Sequence, residues 1–213
     1  MSSLMRSRVP IQDMIQRANP SPFYVLIARN RYSSCHVLVP EMEKPLAAIC
    51  LADHYYSFFT TVTDSRRALG IAVKLSYLGD RAVITKIPKG YAIWVWETEM
   101  QLFGQSGRAG LNVVRSPKVA PCKVLVSREQ YRALEIQVPD LDQPLSSIQF
   151  EGNYYSIFRV ETDATKILEL VAKITQRGDE MVITKADKGG FALCVLEPEG
   201  YLPQMSIKGS YLN

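Results

Sequence analysis

The sequence predicts an α+β protein of two tandem homologous domains. Each is an antiparallel sheet covered by one main helix, in the order strands, helix, strands, and the two are related by a pseudo-twofold. Three observations predict this. The phrase HYYSFFTTVTD at 54–64 returns as NYYSIFRVETD at 153–163. The correspondence runs on through PFYVLIARNRY and PCKVLVSREQY (22–32, 121–131), VPEMEKPLAAI and VPDLDQPLSSI (39–49, 138–148), and YLGDRAVITK and QRGDEMVITK (77–86, 176–185). After one extra residue, GYAIWVWE meets GFALCVLE (90–97, 190–197). A duplication of this length has to be recognised before a fold is assigned. Finally, each copy holds a single stretch of helical periodicity between stretches of β-prone residues.

In chain order, residues 1–21 form an N-terminal arm. Pro10 precedes Ile11, Met14, Ile15 and Ala18, the spacing of a short amphipathic helix with proline near its first turn, and Asn19-Pro20-Ser21-Pro22 stops it. The first repeat domain spans 22–98, the linker 99–120 contains GQSGRAG, the second repeat domain spans 121–198, and 199–213 is a C-terminal tail. In the second copy, Lys123–Ser127 and Leu134–Val138 are β-prone, and the turn-rich run Pro139–Pro144 follows. Leu145–Phe150 and Tyr154–Val160 flank Glu151-Gly152-Asn153, a hairpin with a glycine-containing loop. Thr162 or Asp163 caps a helix whose inner face is Ile167, Leu170, Val171 and Ile174, with Lys166, Glu169 and Lys173 opposite. Gly178 closes it at C′, and Met181–Lys185 and Phe191–Leu196 make a last hairpin. The first copy repeats the order: a helix over about 64–78, Gly79 at its end, then Ala82–Ile87 and Tyr91–Trp96. Alternation turns one tyrosine of each Tyr-Tyr pair inward and the other outward. About 75 residues per copy support only a marginal core, so each copy is expected to keep a small core and lean on the other.

Chemistry is sparse. Cys35, Cys50, Cys122 and Cys194 show no C-x-x-C spacing, which favours free thiols in a reducing compartment. Cys35, His36, Cys50 and His54 are zinc-ligand types but match no structural-zinc pattern, and the second copy has Leu134, Glu135, Gln149 and Asn153 in their places. Only two histidines could serve a triad, and no G-x-S-x-G elbow presents a serine. The pairs Asp140/Asp142 and Glu41/Glu43 sit in proline-bounded turns, where solvated charge is the default. Ile87-Pro88-Lys89-Gly90 and Asp187-Lys188-Gly189-Gly190 join strand to strand and read as hairpin turns, not phosphate cradles. The repeated Thr85-Lys86 and Thr184-Lys185 read as strand ends with a solvated lysine. The expectation is no catalytic residue, no cofactor and no metal.

Charge separates the copies. Residues 22–98 hold nine Lys/Arg against six Asp/Glu, a net +3, and residues 121–198 hold nine against twelve, a net −3. Opposite signs favour docking of the repeats on each other or an oriented partner. Arg66, Arg67, Arg81, Lys86 and Lys89, with Arg6, Arg8, Arg17, Arg108, Arg115 and Lys118, give the first copy and its flanks a basic character. Trp94 and Trp96 share one face of the last strand of the first copy, while Tyr91, Ile93 and Val95 take the other, so this strand reads as covered on both sides. Partner binding is therefore assigned to Arg66, Arg67, Arg81, Lys86, Lys89, Trp94 and Trp96.

The stretches DRAVITKIPKGYAIWVWE and QVPDLDQPLSSIQFEGNYYSIFRVETD resemble soluble cyanobacterial tandem-repeat proteins of unknown function. The resemblance covers both copies. It implies a cyanobacterial cytoplasmic protein and carries over no functional residue. No run approaches the ~20 apolar residues of a membrane span, and the N-terminus lacks a secretory h-region. The expectation is a cytoplasmic, non-enzymatic regulator or adaptor that binds another protein, such as an inhibitor or modulator of an enzyme. The alternative is RNA or DNA binding, or regulation of RNA processing, through the basic face of the first domain and its flanks.

Overall fold

A computed structural model describes residues 19–40, 42–104, 119–186 and 189–203. The expected N-terminal helix, most of the linker and most of the tail lie outside the described residues.

The first copy contributes β1 (Phe23–Leu26), β2 (Ser33–Leu38), β3 (Leu46–Leu51), β4 (His54–Val62), α1 (Ser65–Tyr77), β5 (Ala82–Ile87) and β6 (Gly90–Trp96). Then comes the short β7 (Gln101–Leu102). The second contributes β8 (Cys122–Leu125), β9 (Arg132–Ile136), β10 (Leu145–Phe150), β11 (Asn153–Glu161), α2 (Ala164–Thr175), β12 (Met181–Lys185) and β13 (Phe191–Leu196). The result is sheet-dominated, with one large sheet and two α-helices among the described residues.

The helices form where the sequence places them, for local reasons. The Asp64 carboxylate accepts the Arg67 N–H at 2.7 Å, and that of Asp163 accepts the Thr165 N–H at 2.8 Å. Each satisfies an orphan amide and sets negative charge at the positive end of the helix dipole. Replacing Asp64 by alanine is expected to cost about 1 kcal/mol, read as a lower urea midpoint at unchanged slope. Gly79, at φ +92°, closes α1: its N–H bonds Ser76 O at 3.2 Å, and Asp80 N–H bonds Leu75 O at 3.0 Å. One-turn 3₁₀ helices at Arg29–Arg31 and Arg128–Gln130 were not legible in the periodicity.

Among the described residues all strands join one thirteen-stranded sheet, ordered β7-β2-β3-β4-β6-β5-β1-β8-β12-β13-β11-β10-β9. The copies meet where β1 pairs antiparallel with β8 at Phe23 and Cys122. Read outward from that junction, the order β1-β5-β6-β4-β3-β2 matches β8-β12-β13-β11-β10-β9. The expectation of purely antiparallel sheets is corrected: β1 runs parallel to β5, and β8 parallel to β12. These four strands lie at the centre of the sheet. Parallel central strands are covered on both faces, so they read as nearly unbroken apolar runs, as FYVL and AVIT do.

The helix-side core is undivided. Phe23, Leu69, Ala72, Ile84 and Ile93 of the first copy share one cluster with Cys122, Ile167, Leu168, Val171 and Met181 of the second. Separate cores were expected, and a physical reason favours the merger: two marginal sheets bury more apolar surface under a common helix pair than apart. Neutral side chains bond across the two copies. Tyr77 of α1 bonds Val124 O at 3.0 Å and Gln130 at 2.8 Å, and Ser65 and Thr165 bond at 2.9 Å. Among the described residues, the ion pairs Lys123–Glu151 and Arg159–Glu161 both lie within the second copy.

The opposite face of the sheet is concave. β1 and β4 are three strand steps apart, roughly 14 Å in a flat sheet, yet the Tyr24 and Tyr56 rings sit 6.5 Å apart. In the second copy the sheet curls far enough for Lys123 of β8 to reach Glu151 beyond β10 at 2.7 Å. Each concavity holds its own small cluster: Leu26, Ile49, Leu51, Tyr56 and Val83 in the first, and Leu125, Ile148, Phe150, Tyr155 and Val182 in the second.

Candidate functional site

The residues expected to bind a partner divide between the two faces of the sheet. Arg66 and Arg67 are exposed on α1, whose buried Ala68, Leu69 and Ala72 turn toward the helix-side core. Lys86 pairs across the ladder with Tyr91, a member of that core, so it stands on the same side, its ammonium 4.2 Å from the Tyr91 ring centroid. Lys89 is exposed in the turn before β6.

Arg81, Trp94 and Trp96 belong to the concave face. Ile93 faces the helices, so the alternating neighbours Trp94 and Trp96 face away from them. The Arg81 guanidinium lies 4.5 Å over the Trp96 ring, a cation–π contact. Trp94 is held edge-on by Phe58 at 5.5 Å and 75°, and its indole N–H donates to Thr85 Oγ1 at 2.9 Å. His54 leans on Trp96 at 5.8 Å. The face is only partly covered: both tryptophans are half-buried, His54 is exposed and Phe58 is 42% exposed. The last strand of the first copy is thus covered by the helices on one side and half-open on the other.

A second feature appears at equivalent places in both copies. Phe58 pairs with Trp94 and Thr60 with Ile93, leaving Phe59 as the extra residue of a β-bulge. Ile157 pairs with Cys194 and Arg159 with Leu193, leaving Phe158 in the same position. Phe59 is 52% and Phe158 57% exposed. The doublets FF and IF break the alternation of their strands, the signal by which the bulge could have been found.

Compared with known proteins, the chain matches no family model, no curated protein and no solved structure.

The geometry works against the catalytic and metal candidates. Cys50 pairs with Tyr55 and Leu51 with His54, so Cys50 and His54 project from opposite faces of the β3–β4 hairpin. Among the described residues no group of three His, Cys, Asp or Glu side chains is placed to hold a metal. Burial, and then the neighbouring Cys50, push the Cys35 thiol up to about 11, which disfavours the nucleophilic thiolate. Burial also raises Cys50, and it holds Cys194 at about 12. Asp140, Asp142 and Glu43 are exposed, and Glu41 lies outside the described residues. The Thr-Lys repeats split across their strands, with Thr85 and Thr184 buried and Lys86 and Lys185 exposed. Ser57 donates to Glu97 and Ser156 to Glu197 at equivalent positions, tying a middle strand to the end of its neighbour in each copy.

Of the two tyrosine pairs, Tyr56 and Tyr155 turn inward, 2% and 0% exposed. Burial raises the hydroxyl pKa of both. Tyr155 donates to Glu180 at 3.0 Å. Both tyrosines are core groups.

Proposed function

We propose that the protein is a non-enzymatic, cytoplasmic regulator or adaptor that acts by binding another protein. The observation that carries the reading is the exposed phenylalanine at the same bulge of both copies. Bulges commonly re-aim a side chain next to a functional site. Phe59 and Phe158 are each more than half exposed, with Phe58, Ile157 and Val160 exposed beside them. Leaving large apolar groups wet is unfavourable, and clusters of them mark interaction sites. We read the halves, 22–98 and 121–198, as tandem homologous domains in a pseudo-twofold arrangement. The matching strand orders and the matching bulges support that reading. Such a protein offers its partner two related contact points, and two tethered contacts raise avidity without a new kind of contact.

Capture from a nuclease-treated native lysate tests this, using wild type and a Phe59→Ser, Phe158→Ser double variant. A protein retained by wild type and lost from the variant is the expected result. The variant should unfold within a few degrees of wild type, since both side chains are exposed. An empty capture, or the same partners retained by both proteins, overturns the reading.

A further inference from the structure

The duplication provides an internal control for the concave face. Five positions that are His54, Phe58, Arg81, Trp94 and Trp96 in the first copy are Asn153, Ile157, Glu180, Cys194 and Leu196 in the second. The strand pairing is the same in both: Tyr56 opposite Trp96 and Phe58 opposite Trp94, against Tyr155 opposite Leu196 and Ile157 opposite Cys194. The second copy builds its strands and its concave cluster without an indole, an imidazole or a guanidinium at these places. The fold therefore does not require them, and in the first copy they form a partly exposed aromatic surface with a cation stacked on it. From this we infer that the concave face of the first copy binds single-stranded nucleic acid, bases stacking on Trp96, Trp94 and Phe58 and a phosphate meeting Arg81.

The chemistry favours this occupant. Base–aromatic stacking accepts any sequence, and it works together with arginine and a positively charged path for the backbone. The local charge is complementary: Arg81, stacked on Trp96, stands where the second copy has Glu180. A proline-rich peptide also docks on aromatic grooves, but it does not call for an arginine in place of a glutamate. The basic side chains on the other face, Arg66 and Arg67, are not part of the surface. The surface adjoins the bulge at Phe58, but it is tested through Arg81 and Trp96, which the protein-binding reading does not use, so the two readings fail separately.

The chain has two tryptophans, and both lie on this face, so intrinsic fluorescence reports it directly. Titration with an oligothymidylate of about 12 nucleotides is expected to quench them. Affinity is expected to fall steeply between about 50 mM and about 200 mM salt, with a log–log slope near −0.7 for each phosphate neutralised. Trp96→Leu and Arg81→Glu each install the residue the second copy already accommodates, and each is expected to weaken binding about ten-fold or more. For these variants a filter-binding assay replaces fluorescence, so that the loss is read without the missing indole. Lys173→Ala, exposed on the second helix across the sheet, should leave the affinity unchanged. No quenching at low salt, a salt-independent titration, full affinity in Arg81→Glu, or quenching by a proline-rich peptide and not by the oligonucleotide overturns the inference.

Discussion

Replacing Gly90 by alanine lowers stability by about 2–6 kcal/mol, adding the ~1–3 kcal/mol of a disfavoured backbone region to the ~1–3 kcal/mol of an overpacked contact. Gly90 has φ +135°, a conformation that L side chains rarely adopt. A Cβ built on it would stand 2.2 Å from Val62 O and 2.6 Å from Thr63 Cα. Those are backbone atoms at the joint between β4 and the capped start of α1, so neither can step aside without disturbing the helix entry. Gly190 occupies the equivalent turn, where the built Cβ lies 2.7 Å from Glu161 O. Gly70 supplies the contrast. It sits in α1 with nothing within 4 Å of its built Cβ, and Gly70→Ala should stabilise by about 0.5–1 kcal/mol through helix propensity. Urea unfolding of the two variants beside wild type decides the matter. A Gly90→Ala protein as stable as wild type would mean that the turn does not press on the strand-to-helix joint as described.

The second large effect concerns the shared core. Phe23→Ala is expected to cost about 3–5 kcal/mol, the range for emptying a buried aromatic site. Phe23 is 0% exposed, pairs with Ala82 on one side and Cys122 on the other, and packs in the cluster fed by both helices. The informative readout is cooperativity. Tryptophan fluorescence reports only the first copy, because Trp94 and Trp96 both lie there, while far-UV circular dichroism reports both copies. With one helix-side core, the two curves should coincide in wild type and move together in the variant. A variant in which fluorescence shifts alone, leaving half of the dichroism at its original midpoint, would show that the copies unfold separately.

Much of this architecture is legible in the sequence because its causes are local. An aspartate three residues ahead of an amide is enough to cap α1, and a glycine after the last apolar position is enough to close it. Alternation also turns Tyr56 and Tyr155 inward. What escaped depends on distant residues. Alternation shows that a strand has two faces but not which strand lies beside it, so the parallel neighbours of β1 and β8 were read as antiparallel. The bulge is marked only by the doublets FF and IF at matching positions, since in one copy alone the extra residue of SFFT looks like a wet side chain on a regular strand. For the candidate site, the sequence groups Arg81, Trp94 and Trp96, and these lie together. Charge alone groups Arg66, Arg67 and Lys86 with them, yet these stand across the sheet. Phe58 and His54 were not singled out as contacts, although comparing the copies position by position marks both.

By itself the sequence determined the duplication, the two capped helices, the hairpins and the opposite charge of the halves. Each of these is written in spacing or chemistry within a few residues or in one copy set against the other. The tertiary structure alone decided that the halves share a sheet and a helix-side core, that the sheet curls, and which aromatic side chains remain open to solvent. The reason is energetic: marginal halves are stabilised by the apolar area they bury jointly, and that area is set by contacts between residues about a hundred positions apart.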